Sequence, residues 1–212
     1  MNISNTFNVN FHGNFRPLIC ETYCPKSILN NINEYVDNLT EESLENYKKV
    51  FGNLLYRDIP NIFISETKSV EWGLKSYLED VSKKYLEFNK INFNCEIPHS
   101  SCFGNGEYLD IWVNRYHLSS DYTPLHIHCD CSISGVIILK ISEKLNSVDS
   151  YRMDGKLQFL IPDNNYISTY SPIQNLGKII LFPSWIQHLV YPQKINDERR
   201  TLSFNVKFVD KK

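Results

Sequence analysis

A mainly β protein, built as a sandwich or jelly-roll barrel with a helical N-terminal half, is what this sequence predicts. Three observations carry that reading. From Tyr108 onward the hydrophobicity alternates with a period of two. The candidate strands there are short and are separated by the turn signals Asp154-Gly155, Pro162-Asp163-Asn164-Asn165 and Asn196-Asp197. The first half instead shows apolar residues at helical spacing.

Taken in order, Ser27 after Pro25 can cap a helix with Ile28, Leu29, Ile32, Tyr35 and Val36 on its buried face. Thr40, followed by Glu41 and Glu42, opens a second helix with acids in its positive first turn. A third runs from about Thr67 to Phe88, with Val70, Leu74, Tyr77, Leu78, Val81 and Tyr85 as its core stripe. The stretch 98–106 reads as a loop inside one domain. In the period-2 half, Leu109, Ile111 and Val113 alternate with Asp110, Trp112, Asn114 and Tyr116. The further strands are 134–141, 156–161, 167–170, 178–182, 188–191 and 199–209. The expected organisation is one domain over 1–212, a mostly helical buttress over 1–98 supporting a β core over 107–209.

Composition narrows the function classes. The chain has 212 residues, a net charge of −2 and a pI of about 6.3. It has no positive field for a polyanion or a membrane surface, so nucleic acid is disfavoured as main partner and no membrane partner is expected. The N-terminal residues lack a basic segment followed by an apolar one, and no apolar run reaches the ~18 residues of a membrane span. Six cysteines without a secretory signal read as reduced thiols in the cytoplasm. Cys20 and Cys24 read as plain buried thiols.

The most informative stretch is Leu125-His126-Ile127-His128-Cys129-Asp130-Cys131. On a strand, His126, His128 and Asp130 share one face, and Leu125, Ile127 and Cys129 share the other. His188 follows Phe182-Pro183-Ser184-Trp185 further on. Two histidines and a carboxylate with open positions form the facial triad of non-haem Fe(II) oxygenases. Arg199 and Thr201 share a strand face with Ser203 and Asn205; an arginine turned into a barrel needs an anion, whereas with the faces reversed Arg199 is a surface residue of the Glu198-Arg199-Arg200 cluster. A guanidinium beside a hydroxyl can grip a carboxylate. Asn114, on the face of Trp112 and Tyr116, can bond a substrate or cosubstrate carboxylate, or equally satisfy the core.

On four blocks the chain resembles the 2-oxoglutarate- and Fe(II)-dependent oxygenase superfamily, nearest the oxygenases of marine bacteria and their phages. The blocks are Trp112-Val113-Asn114, His126-Ile127-His128 with Ser134-Gly135, Phe182 to His188, and Arg199-Arg200-Thr201-Leu202-Ser203-Phe204-Asn205, where Thr201 stands for a serine. The resemblance implies a double-stranded β-helix, a cupin-like jelly-roll barrel, and hydroxylation of an unknown substrate using Fe(II), 2-oxoglutarate and O2. Succinate and CO2 would be co-products. It implies His128, Asp130 and His188 as the preferred catalytic metal ligands, with His126, His128 and His188, or a site with only two protein ligands, as the competing sets. Arg199, Thr201, Asn114 and Ser134 are the expected cofactor contacts. The rival readings are a cupin-like dioxygenase without 2-oxoglutarate, a zinc site using Cys129 and Cys131, and a non-enzymatic metal-binding barrel. The substrate and the oligomeric state are not readable from the sequence.

Overall fold

Strict alternation lays the two longest strands side by side. Tyr108–Tyr116 (β4) pairs antiparallel with Arg199–Val209 (β11), so that Thr201 faces Asn114 and Arg199 faces Tyr116. The computed structural model describes residues 19–46, 61–100, 106–117, 121–146, 153–163, 166–194 and 197–210. On its other side β11 pairs with Ile133–Lys140 (β6), and β6 pairs with Lys178–Pro183 (β9). Three strands from the first half complete this sheet: Cys20–Tyr23 (β1) on β9, Asn61–Ser65 (β2) on β4, and Asn94–Glu96 (β3) on the far end of β11. The order is β1-β9-β6-β11-β4-β2. A second sheet runs β5-β10-β7-β8, from Thr123–His126 (β5), Leu157–Asp163 (β7), Tyr166–Tyr170 (β8) and Gln187–Val190 (β10).

The pleat of the large sheet divides the core in two. Leu109, Ile111, Val113, Ile137, Leu181, Leu202 and Phe204 meet the helices on one face. Val136, Ile138, Ile180 and Phe182 meet Leu157, Phe159 and Val190 of the small sheet, and Ile186 just before it, on the other. Each such side chain contributes roughly 1.5–3 kcal/mol on burial. The two facing sheets form the double-stranded β-helix.

The helices follow their stripes with three departures. Lys26–Asp37 (α1) buries Ile28, Leu29, Ile32 and Val36 as expected, but Ser27 lies inside the helix. Pro25 precedes the first turn instead, and its carbonyl accepts the Leu29 N–H at 3.1 Å. Thr40 does cap the helical residues 41–46, its Oγ1 accepting the Ser43 N–H at 3.2 Å. The expected helix from Thr67 is two helices, Glu66–Glu71 (α2) and Leu74–Phe88 (α3). They are divided by Gly73 at φ 66°, a left-handed value that glycine adopts without a Cβ penalty. Val70 falls before the break and is exposed, whereas Leu74, Leu78, Val81 and Tyr85 are buried.

The first half is therefore more than a helical buttress, because β1, β2 and β3 are part of the barrel's large sheet. The loop expected over 98–106 is only partly covered: His99 bridges to Leu109, and 101–105 lie outside the described residues. The turn residues Asn164, Asn165 and Asn196 lie outside them as well. Cys20 and Cys24 are buried free thiols, pushed up by burial to about 11 and about 12.

Candidate metal centre

Three imidazoles converge where the small sheet meets the large one. His126 ends β5 and faces His188 on β10 across the ladder. His128 lies just past the end of β5, where its backbone N–H donates to the carbonyl of Ser184 at 3.0 Å. Their ligand atoms lie within 4.8 Å of one another. The ring centroids stand 4.2 Å (126–188), 5.1 Å (128–188) and 5.2 Å (126–128) apart.

The tautomer of each ring follows from its partner. His126 Nδ1 lies 2.8 Å from the Pro124 carbonyl and His188 Nδ1 3.0 Å from the Ile186 carbonyl. A carbonyl oxygen can only accept, so both Nδ1 atoms carry the proton. His128 Nδ1 lies 2.8 Å from Asn205 Oδ1. The orientation of that amide is fixed by its other contacts: Asn205 Nδ2 donates to Asp110 Oδ2 at 2.8 Å, and Ser134 donates to Asn205 Oδ1 at 2.8 Å. All three rings thus carry their lone pair on Nε2, the arrangement that metal-bound histidines show. Burial, and then the neighbouring His126 and His128, push His188 down to about 2, which keeps it neutral. Phe182 and Phe159 wall it, and Trp112 stacks on His128 at 5.7 Å.

Asp130 is outside this group. The expected alternation stops at His126, so the stretch 125–131 is not one strand. Asp130 has φ 58° and is exposed, in a loop after the strand has ended. Leu125 on the edge strand β5 and Ile127 just past its end are likewise exposed. Cys129 is exposed and Cys131 half-buried, and neither joins the histidines.

The same pocket is lined by Asn114, Tyr116, Thr123, Leu157, Val190, Arg199, Thr201 and Ser203. Arg199 is 1% exposed. Its Nε and Nη2 donate to Gln174 Oε1 at 3.2 and 2.6 Å, and its guanidinium lies 4.9 Å from the centre of the Tyr116 ring. Among the described residues its Nη1 has no hydrogen-bond partner, and neither has Asn114 Oδ1. Burial pulls the guanidinium below its ordinary value, with Tyr116 opposing. Asn114 Nδ2 donates to Ser203 Oγ at 3.3 Å. Ser134, expected as a cofactor contact, does not line the pocket, since its hydroxyl is committed to Asn205. Asn205, Asp110, Gln174 and Thr123 had no assigned role in the sequence reading. Asn205 and Asp110 lie on the inward face of alternating strands, whereas Gln174 lies in a loop with no pattern.

Residues 110–205 match the model of a family described as "Putative 2OG-Fe(II) oxygenase". A comparison with curated proteins finds no match. Among solved structures, a prolyl-4-hydroxylase from Pseudomonas putida superposes with a TM-score of 0.56 at 11% identity, covering 92% of this chain and 93% of that one. AviO1 from Streptomyces viridochromogenes Tue57 superposes at 0.56 and 9% identity, covering 90% and 89%. A prolyl hydroxylase from Trichoplax adhaerens, in complex with a hypoxia inducible factor oxygen degradation domain peptide fragment, superposes at 0.53 and 14% identity, covering 91% and 83%. At these identities the likeness is one of fold. The stretch matched to that oxygenase family holds the three histidines together with Arg199 and Thr201, and proteins of the family so described use Fe(II), 2-oxoglutarate and O2. No described helix is long and apolar enough to cross a membrane.

Proposed function

We propose that His126, His128 and His188 hold Fe(II), that Arg199 and Thr201 receive the distal carboxylate of 2-oxoglutarate, and that the protein hydroxylates a C–H bond of its substrate, with succinate and CO2 as co-products. The single observation that carries this is Arg199 Nη1, a charged donor without a partner in a pocket shared with three imidazoles. A buried cation held by a neutral amide and an aromatic ring has no opposing charge from either, and a carboxylate supplies both the charge and the missing acceptor. The donor set fits the metal too, since three neutral imidazoles suit divalent iron.

Bound iron and 2-oxoglutarate supply the oxidising chemistry; the chain's residues supply the rest. The carbonyls of Pro124 and Ile186 and the amide of Asn205 hold the three rings in the metal-binding tautomer. Gln174 and Tyr116 hold the guanidinium of Arg199 in place. Tyr116 OH and Thr123 Oγ1, 2.7 Å apart, close the wall beside it. Leu157 and Val190 line the pocket with apolar surface and limit water. Asn114 Oδ1 offers an acceptor for a donor on the substrate. The chain acts as one oxygenase domain over 1–212, because strands from its first half complete the sheet that carries Arg199. Within the superfamily the four sequence blocks put it nearest the oxygenases of marine bacteria and their phages, and its net charge and thiols suit a cytoplasmic protein for which nucleic acid is a disfavoured partner.

The test is anaerobic reconstitution with Fe(II) followed by titration with 2-oxoglutarate. A visible charge-transfer band that saturates with 2-oxoglutarate, and succinate formation on admitting O2, are expected. A metal-loaded protein that consumes O2 with a substrate and ignores 2-oxoglutarate would mark a cupin-like dioxygenase instead.

A further inference from the structure

The three histidines are held unequally. His126 and His188 each donate Nδ1–H to a carbonyl two residues back in their own segment, so their acceptors come with the local backbone. His128 lies past the end of its strand and has no such acceptor. Its Nδ1 meets Asn205 Oδ1 on β11, far away in the chain. Asn205 is 6% exposed and is itself gripped twice, by Ser134 Oγ on β6, which it faces in register, and by Asp110 Oδ2 on β4. Three neighbouring strands of the large sheet thus converge on the ring of His128.

A second consequence concerns charge. Three neutral imidazoles leave both charges of a divalent ion uncompensated. The carboxylate of Asp110 stands one amide away, in line with the Nδ1 side of His128. Each hydrogen bond in such a chain polarises the next, so an acid at its end makes the imidazole a better donor to the metal.

We infer that Asn205 is the positioning residue of the metal centre, fixing the ring plane and tautomer of His128 and linking it to Asp110 as an acid in the outer shell of the site. The inference rests on the assignment of His126, His128 and His188 as ligands. Ser134 locks the amide in the orientation that presents Oδ1 to His128 and Nδ2 to Asp110.

Co(II), titrated anaerobically and followed by its visible absorption, is the probe. Asn205→Ala is expected to weaken Co(II) binding about 10- to 100-fold. Asn205→Asp, which keeps an acceptor at Oδ1, is expected to recover at least a third of the lost binding on a logarithmic scale. Asp110→Asn keeps the shape and removes the charge. It is expected to weaken binding about threefold to tenfold and to shift the Co(II) bands, with an unchanged melting temperature in the metal-free protein. A merely structural role would lower the melting temperature and leave the bands of the folded fraction alone. Wild-type affinity and bands in Asp110→Asn, together with affinity within twofold of wild type in Asn205→Ala, or in Asn205→Asp where the alanine variant does not fold, would overturn the inference. Wild-type protein that binds no Co(II) would instead overturn the ligand assignment on which it rests.

Discussion

His126 and His188 stand opposite each other across the β5–β10 ladder, their ring centroids 4.2 Å apart. Cross-strand neighbours on one face are held at nearly fixed spacing by the backbone. This pair therefore forms the rigid half of the cluster, and His128, on the loop beyond, closes it.

The first prediction follows from that pairing. His126→Ala should weaken metal binding at least tenfold, and Asp130→Ala should change it less than threefold, because Asp130 is exposed and outside the cluster. Parallel anaerobic Fe(II) titrations of the two variants decide it. Loss of iron in Asp130→Ala with retention in His126→Ala would restore the His128, Asp130, His188 triad.

Arg199→Ala should raise the apparent KM for 2-oxoglutarate more than tenfold while iron stays bound. Truncating one member of a buried charge pair costs about 2–5 kcal/mol, and Arg200 cannot substitute. That second arginine points to the opposite face of the sheet, where it bonds Asn33, Asp37 and Glu198. Succinate formation against 2-oxoglutarate concentration measures the effect, and a change under threefold would contradict the role given to Arg199.

Gly135→Ala should destabilise the fold by about 1–3 kcal/mol, the usual range for overpacking a tight core. A Cβ at this position would come within 2.2 Å of the Phe204 ring, its partner across β6 and β11. Urea unfolding gives the number. Phe204→Leu in the same background should recover part of the loss, and a purely additive double variant would show that the ring is not the obstacle.

Glu198 is the acid-sensitive joint. Burial alone would raise its carboxyl, but hydrogen bonds from Lys140 and Arg200 and the charges of Arg200 and Arg115 hold it down at about 2. Its contribution is therefore complete above its ordinary value near 4.5 and is lost as the pH falls toward 2. Glu198→Gln should cost about 2–3 kcal/mol at neutral pH, and the gap to wild type should close between about pH 4.5 and 2. A gap that stays constant across that window would show that the ion pairs contribute nothing through charge.

Where periodicity was long and two-faced, the sequence was a guide to the strands. The alternation from Leu109 to Tyr116 and from Arg199 to Phe208 groups Asn114 with Trp112 and Tyr116, and Arg199 with Thr201, Ser203 and Asn205, as β4 and β11 do, but which of the two faces turns to the pocket depends on the second sheet. It misled where a strand ended early. Nothing in the alternation from Leu125 to Cys131 marks His126 as its last strand residue, so Asp130 appeared to share the face of the histidines. The short strands β1, β2 and β3 were hidden because three to five residues are too few to show a period, and their partners lie far along the chain. Asn205 looked like any inward polar residue, since its importance depends on Asp110 and His128 arriving from two other segments.

The position of β11 has a consequence for assembly. It is the final described strand, yet it lies inside the large sheet between β6 and β4 and carries Arg199, Thr201 and Asn205. β1 at the outer flank finds its partner β9 only after most of the chain has been crossed, Cys20 against Leu181. Such remote pairings make folding slow, because the loops must close before the contacts reward them. Arg199 and the Asn205 contact to His128 take their places only once β11 is paired, so on the proposed assignment the metal and cosubstrate sites form no earlier than that strand does.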